Sequence, residues 1–160
     1  MFFDANSNFS RDNFASVEAA GKKMAIPVVG HGVKSTDELK TTLSNLNPPA
    51  GAAIFQVTDD LIESEADFIF TISRQKKIPT MFNEESWAIN GATAAYGPNY
   101  FEMGRRAGVL LDLIVKGKAP ATLPVERAGK FDLTLNYRGA KFIGFELPPA
   151  LLKRADKVIR

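Results

Sequence analysis

The chain has 160 residues, 45% of them hydrophobic, with 20 Lys and Arg against 18 Asp and Glu. That length holds one compact core, and so apolar a chain with balanced charge is not intrinsically disordered. A net charge of +2 and the absence of cysteine exclude a basic nucleic-acid stripe, a disulfide scaffold, a thiolate metal site and a Cys nucleophile.

Phe2-Phe3-Asp4 reads like the end of a strand whose beginning is missing, followed by a polar turn. Met1-Phe2-Phe3-Asp4 lacks the basic start and apolar run of an export signal. No segment reaches the roughly 18 apolar residues of a membrane span. Ser10 is placed to cap a helix of about four turns, with Phe14, Val17, Ala20 and Met24 as its apolar stripe. A second strand is predicted over 26–29. Ser35 and Glu38 form a capping box opening a helix that turns Leu39, Leu43 and Leu46 inward, and 47–51 breaks it.

Residues 52–57 are apolar on both faces, as in a buried parallel strand. A helix over 61–77 follows, with Ile62, Ala66, Ile69, Phe70 and Ser73 inward. Strands are predicted over 78–82 and 91–95, separated by a polar loop or short helix. Gly97-Pro98 opens the longest helix, over 99–116, whose stripe is Met103, Ala107, Leu110, Leu111 and Ile114. Two extended pieces, 123–126 and 131–135, and helical turns over 137–143 and 148–159 complete the chain. The alternation defines an α/β protein with a parallel sheet of about five strands flanked by helices.

In such a sheet ligands bind beyond the carboxyl ends of the strands. Those ends are rich in carboxylates and amides, suited to a small polar solute, and contain no catalytic set. His31 is the only histidine and has no evident partner, so no general base or metal site is assigned to it. Asp60 is read as the cap of the helix behind it, and Trp87 as a half-buried aromatic under its loop. Residues 91–97 lack any phosphate-loop pattern. A phosphoacceptor receiver needs an acidic pair after the first strand and a Lys after the fifth. Only Asp4 and Tyr96-Gly97-Pro98 stand there.

From Tyr96 onward the chain resembles a known family. Tyr96-Gly-Pro-Asn-Tyr-Phe-Glu-Met-Gly-Arg-Arg-Ala is followed by Ile114-Val-Lys-Gly-Lys-Ala-Pro-Ala-Thr-Leu-Pro-Val-Glu and Lys130-Phe-Asp-Leu-Thr-Leu-Asn. With Leu147-Pro-Pro-Ala-Leu-Leu-Lys-Arg-Ala-Asp-Lys-Val-Ile, these are similar to ABC-transporter substrate-binding proteins of the type I periplasmic-binding-protein fold. The branch includes tryptophan- and tyrosine-binding members.

The resemblance implies two lobes closing on a solute, of which this chain corresponds to the second lobe with its tail. It divides the chain into an α/β unit (1–95), a hinge and crossing helix (96–117), and C-terminal strands with a helical tail (118–160). The implied cleft residues are Ser7, Ser10, Thr58, Asp59, Asn83, Glu84, Tyr96, Gly97 and Pro98; Asn83-Glu84-Glu85 departs from the Pro and aromatic residues common there. It further implies no catalysis, no cofactor and no metal, an ABC permease as partner of the full-length protein, and a periplasmic or extracellular-facing parent. Without the first lobe, the crossing helix either folds back as another βα unit, giving a flavodoxin-like sheet, or is exchanged between two chains in a homodimer. A flavodoxin-like sensor or signalling domain is the alternative reading.

Overall fold

In the computed structural model, which describes residues 1–160, strands and helices alternate through the first two thirds of the chain. β1 (Phe2–Asp4), β2 (His31–Val33), β3 (Ile54–Phe55), β4 (Thr80–Phe82) and β5 (Ala94–Pro98) are linked by α1 (Asn8–Lys23), α2 (Thr36–Ser44), α3 (Asp60–Glu63), α4 (Ala66–Lys76) and α5 (Glu85–Asn90). Then come α6 (Tyr100–Val115), a 3-10 turn (Pro120–Thr122), β6 (Phe131–Asn136), α7 (Tyr137–Phe142), α8 (Pro149–Arg154) and β7 (Lys157–Ile159). β1 and β2 form a parallel pair, and the other five strands form a sheet in the order β3-β4-β5-β6-β7. β5 and β6 run antiparallel, in place of the wholly parallel sheet that the alternation predicts.

Local chemistry explains most element ends. Ser7, not Ser10, caps α1: its hydroxyl accepts from the Ser10 N–H at 3.2 Å, and Ser10 is buried. At α2 the Ser35 hydroxyl accepts from the Glu38 N–H at 3.2 Å while Glu38 reaches back to the Lys34 N–H at 2.8 Å. The helix predicted over 61–77 is broken into two. The Ser64 hydroxyl donates to the Leu61 carbonyl at 2.7 Å, and Glu65 leaves helical geometry at ψ 24°. Met24 ends α1 as its C-cap and is exposed rather than inward.

Other differences follow from pairing. The second strand lies at His31–Val33 rather than 26–29, because its neighbour β1 pairs from Phe2 and Pro27 has no N–H to offer a ladder. β5 runs to Pro98 instead of stopping at residue 95, since β6 pairs with it from Ala94↔Leu135 to Pro98↔Phe131. Residues 123–126 are not a strand. The tail predicted as helix over 148–159 ends in β7, where Val158 and Ile159 pair with β6. Asp156 locks that turn, donating its N–H to the Leu133 carbonyl and accepting the Leu133 N–H, each at 2.9 Å.

The main core packs Phe2, Val33, Leu39, Leu43, Ile54, Ile62, Ile69, Phe70, Ile78 and Phe82 between the sheet and α2–α4. Phe70 meets Phe82 edge-on at 5.3 Å between ring centres, and Trp87, half-buried on α5 and not in a loop, leans on Phe82 at 5.6 Å. A smaller core of Leu135, Ala140 and Leu147 lies under α7 and α8. α6 belongs to neither: none of its sixteen residues is buried. It does not fold back on the sheet as a further βα unit. The chain exposes 10184 Å², whereas a compact monomer of this size exposes about 7,900 Å².

Candidate functional site

The carboxyl ends of β3, β4 and β5 converge on one polar edge. Thr58 follows β3, and its exposed hydroxyl accepts from the Asn83 side-chain amide at 2.6 Å, just beyond β4. The Thr58 carbonyl accepts from Asn13 of α1 at 3.3 Å, so three elements meet there. Glu84 accepts from the Tyr100 hydroxyl at 2.9 Å, joining the β4 loop to the first turn of α6. Glu63 completes the group from the end of α3. One of its carboxylate oxygens, like the Asn83 amide oxygen, is shut off from solvent with no hydrogen-bond partner.

The electrostatics of this edge are set by acids without counter-charges. Burial raises the Glu63 carboxyl above its ordinary value, and the nearby Glu84, Asp60 and Asp59 add to the rise. Tyr100 is raised as well, chiefly because its hydroxyl donates to Glu84.

Asp59 is close by in sequence but differently employed. It is 2% exposed. One carboxylate oxygen caps α3 by accepting from the Ile62 N–H at 3.2 Å; the other accepts from the Asp4 N–H at 2.9 Å. The cap of α3 is thus Asp59, not Asp60. Because β1 and β3 share no ladder, this carboxylate joins the two sheets.

Gly97 also has a structural reason to be where it is. A Cβ there would stand 1.7 Å from the Asn83 carbonyl oxygen, so only glycine lets β5 pass under the loop carrying Asn83 and Glu84. Pro98 ends β5, and Asn99 caps α6 by accepting from the Glu102 N–H at 2.8 Å. Tyr96 stacks on Phe131 at 5.7 Å and is half exposed. No hydrogen bond links Ser7, Ser10 or Tyr96 to the Thr58–Asn83–Glu84 group. His31 stacks on Phe2 at 5.0 Å, and burial lowers its pKa.

Glu63, Tyr100 and Asn13 are the edge residues that the sequence reading lacks. Glu63 falls at the end of a one-turn helix that the pattern merges with its successor, and Tyr100 stands two residues beyond the Gly-Pro motif. Beyond the edge, a groove of about 580 Å³ runs between α6 and residues 126–130, lined by Met103, Ala107 and Leu110 and closed by the Arg106–Glu126 ion pair.

A mostly parallel lobe with its polar edge at the strand ends, and a helix carried away beyond a Gly-Pro strand, is the fold of periplasmic-binding-protein lobes. The chain belongs to the ABC transporter substrate binding protein family, which matches residues 1–159. It is 27% identical over 133 residues to a tyrosine-binding protein of Clostridioides difficile, covering 83% of this chain and 37% of that one. Among solved structures it is similar to an ABC domain in complex with L-Trp from Streptococcus pneumonia (TM-score 0.79, 22% identity, 99% of this chain and 53% of that one). It is likewise similar to a ligand-free, open substrate binding protein with adhesive properties from Clostridium difficile (TM-score 0.77, 23% identity, 99% and 52%). The chain therefore spans about half the length of these structures and less of the tyrosine-binding relative. No helix is long and apolar enough to cross a membrane.

Proposed function

We propose that this chain is one lobe of the solute-binding component of an ABC uptake transporter, a binding module and not a catalyst. Its solute is a small amino acid of the aromatic kind, as the tyrosine-binding relative and the L-Trp complex suggest. Residues 1–95 form the lobe, 96–117 the hinge and crossing helix, and 118–160 the return strands and tail. The solute lies against Thr58, Asn83 and Glu84, with Ser7, Gly97 and Pro98 at the margins of the wall. The parent protein faces the periplasm or the cell exterior and delivers its solute to an ABC permease.

The observation that carries this reading is α6, an amphipathic sixteen-residue helix with no buried residue, leaving from the same strand that borders the polar edge. A companion lobe packed on α6 would bring a second wall over that edge. The surface in excess of a compact monomer, about 2,300 Å², is the size of an obligate interface. A homodimer in which two chains exchange α6 would cover the same helix, and concentration-independent monomeric light scattering counts against it.

The test is a titration of the ¹⁵N-labelled chain with L-tryptophan followed by amide shifts. One wall cannot exclude water, so millimolar binding with shifts confined to residues near 58, 83–84 and 97–100 is expected. Micromolar affinity would overturn the half-cleft reading, and the absence of shifts at saturation would overturn the binding reading.

A further inference from the structure

We propose that Asp132 is a positioning residue for α6: through Asn99 it fixes the direction in which the helix leaves the sheet, and with it the placing of a partner packed on that helix relative to the solute edge. The consequence for the cleft rests on α6 carrying a companion lobe, whereas the latch itself is a property of this chain.

The contacts converge on one turn. Asp132 stands in β6 opposite Gly97 of β5, one pair before the ladder ends at Pro98↔Phe131. Beyond that pair the two strands part, one into α6 and the other back along residues 126–130. One Asp132 carboxylate oxygen accepts from the Asn99 side-chain amide at 2.5 Å, and the Lys130 ammonium lies 2.9 Å from the other. Lys130, and after it Asn99, hold the Asp132 carboxyl below its ordinary value, so the acceptor is charged at neutral pH. The same Asn99 side chain caps α6, its amide oxygen accepting from the Glu102 N–H at 2.8 Å. With one end bound to the helix and the other to a charged group of the sheet, the Asn99 amide is a rigid link between the two.

Few other contacts set the direction. No residue of α6 is buried, and no strand or helix packs along it. The Asn99 N–H donates to the Lys130 carbonyl at 3.0 Å, which fixes where the helix starts but, as a single bond, leaves it free to swing. The Arg106–Glu126 pair joins α6 to the loop that returns from its own far end. Tyr100, held by Glu84, is half exposed and lies in the same first turn as the latch. The helix is a long lever: Asp112 is about 20 Å along the axis from Asn99, so a tilt of about 20° displaces it by about 7 Å.

The chain has no cysteine, so nitroxide labels at Gln75→Cys on α4 and Asp112→Cys on α6, both exposed, read that displacement by pulsed dipolar spectroscopy on labelled chain diluted into unlabelled chain. Asn99→Asp keeps a helix cap but sets a second carboxylate against Asp132 where the donor stood. It should shift or broaden the distance distribution by about 7 Å with the urea midpoint unmoved, because α6 buries nothing in either core. Asn99→Asp together with Asp132→Asn exchanges donor and acceptor and should restore the wild-type distribution. An unchanged distribution in Asn99→Asp overturns the proposal. So does a changed one that the exchange fails to restore, since the cap or the added charge alone would then be at work. Either failure leaves the solute-lobe reading intact, which the L-tryptophan titration tests separately.

Discussion

Replacing Asp59 by Ala distinguishes a residue that holds the fold from one that holds the solute. The side chain is 2% exposed, and each of its oxygens accepts a backbone N–H, from Ile62 at 3.2 Å and from Asp4 at 2.9 Å. Losing an N-cap costs about 0.5–2 kcal/mol. Losing a hydrogen bond to a charged acceptor costs about 1.5–3 kcal/mol, since the Asp4 N–H is left part-buried without a partner. Removing a buried carboxylate returns some desolvation energy, so the net loss is about 3 kcal/mol. For a domain of this length that lowers Tm by about 6–12 °C, and it moves the urea midpoint down by about 1.5 M at constant slope.

Asp59→Asn should recover only part of the loss, because one end of its amide presents a donor to an N–H that is itself a donor. A shift below about 0.5 kcal/mol, together with weaker solute binding, would refute this reasoning. The two hydrogen bonds would then be incidental, and Asp59 a contact in the cleft.

Gly97→Ala sets a Cβ 1.7 Å from the Asn83 carbonyl and should cost about 3 kcal/mol or more while displacing the amide signals of Asn83 and Glu84; native stability in a urea melt would contradict the close approach. Glu63 has its pKa raised in the folded state, so ionising it costs stability, fully above that raised value and not at all below the ordinary 4.5. Glu63→Gln should therefore stabilise the ligand-free chain at pH 7, with the gain vanishing as pH falls below 4.5; a gain independent of pH would point to packing instead. Phe101→Ser with Leu111→Lys, at positions 81% and 61% exposed, should change stability by no more than about 0.5 kcal/mol yet abolish apolar-dye binding or self-association. A larger loss of stability in that variant would mean that α6 packs on its own chain.

The elements were legible wherever one short-range rule governs them. Ser35 with Glu38 opens α2, the spacing of Leu39 and Leu43 gives its buried face, and the apolar run before Thr58 marks a strand. Pairing partners were not legible, and β2, β5 and β7 each moved for that reason. A strand forms where a neighbour offers a ladder, and the 131–136 segment that pairs with β5 lies more than thirty residues downstream. At the edge, the rule of strand ends found Thr58, Asn83 and Glu84, which the structure joins. It could not tell Asp59 from Asp60, because which of two adjacent acids turns inward depends on the strand twist that presents Asp4 to it. Glu63 was hidden by Ser64, whose local hydrogen bond ends a helix that apolar spacing carries straight through.

α6 marks the boundary of what apolar periodicity can say. Its stripe of Met103, Ala107, Leu110, Leu111 and Ile114 is as regular as that of α2, where Leu39 and Leu43 are fully buried. Both helices are capped by a side chain, Ser35 for α2 and Asn99 for α6. The difference lies outside the helix: α2 packs against α3 and α4 over the main core, whereas α6 contributes no residue to either core. An amphipathic pattern states that a face is to be covered, and the topology around it decides by what. Here the core is built without α6, and the strand that leads into it brings Gly97 beneath Asn83. Tyr100 and Glu84 tie the first turn of α6 to the polar edge, so a partner packed on that helix would lie next to that edge.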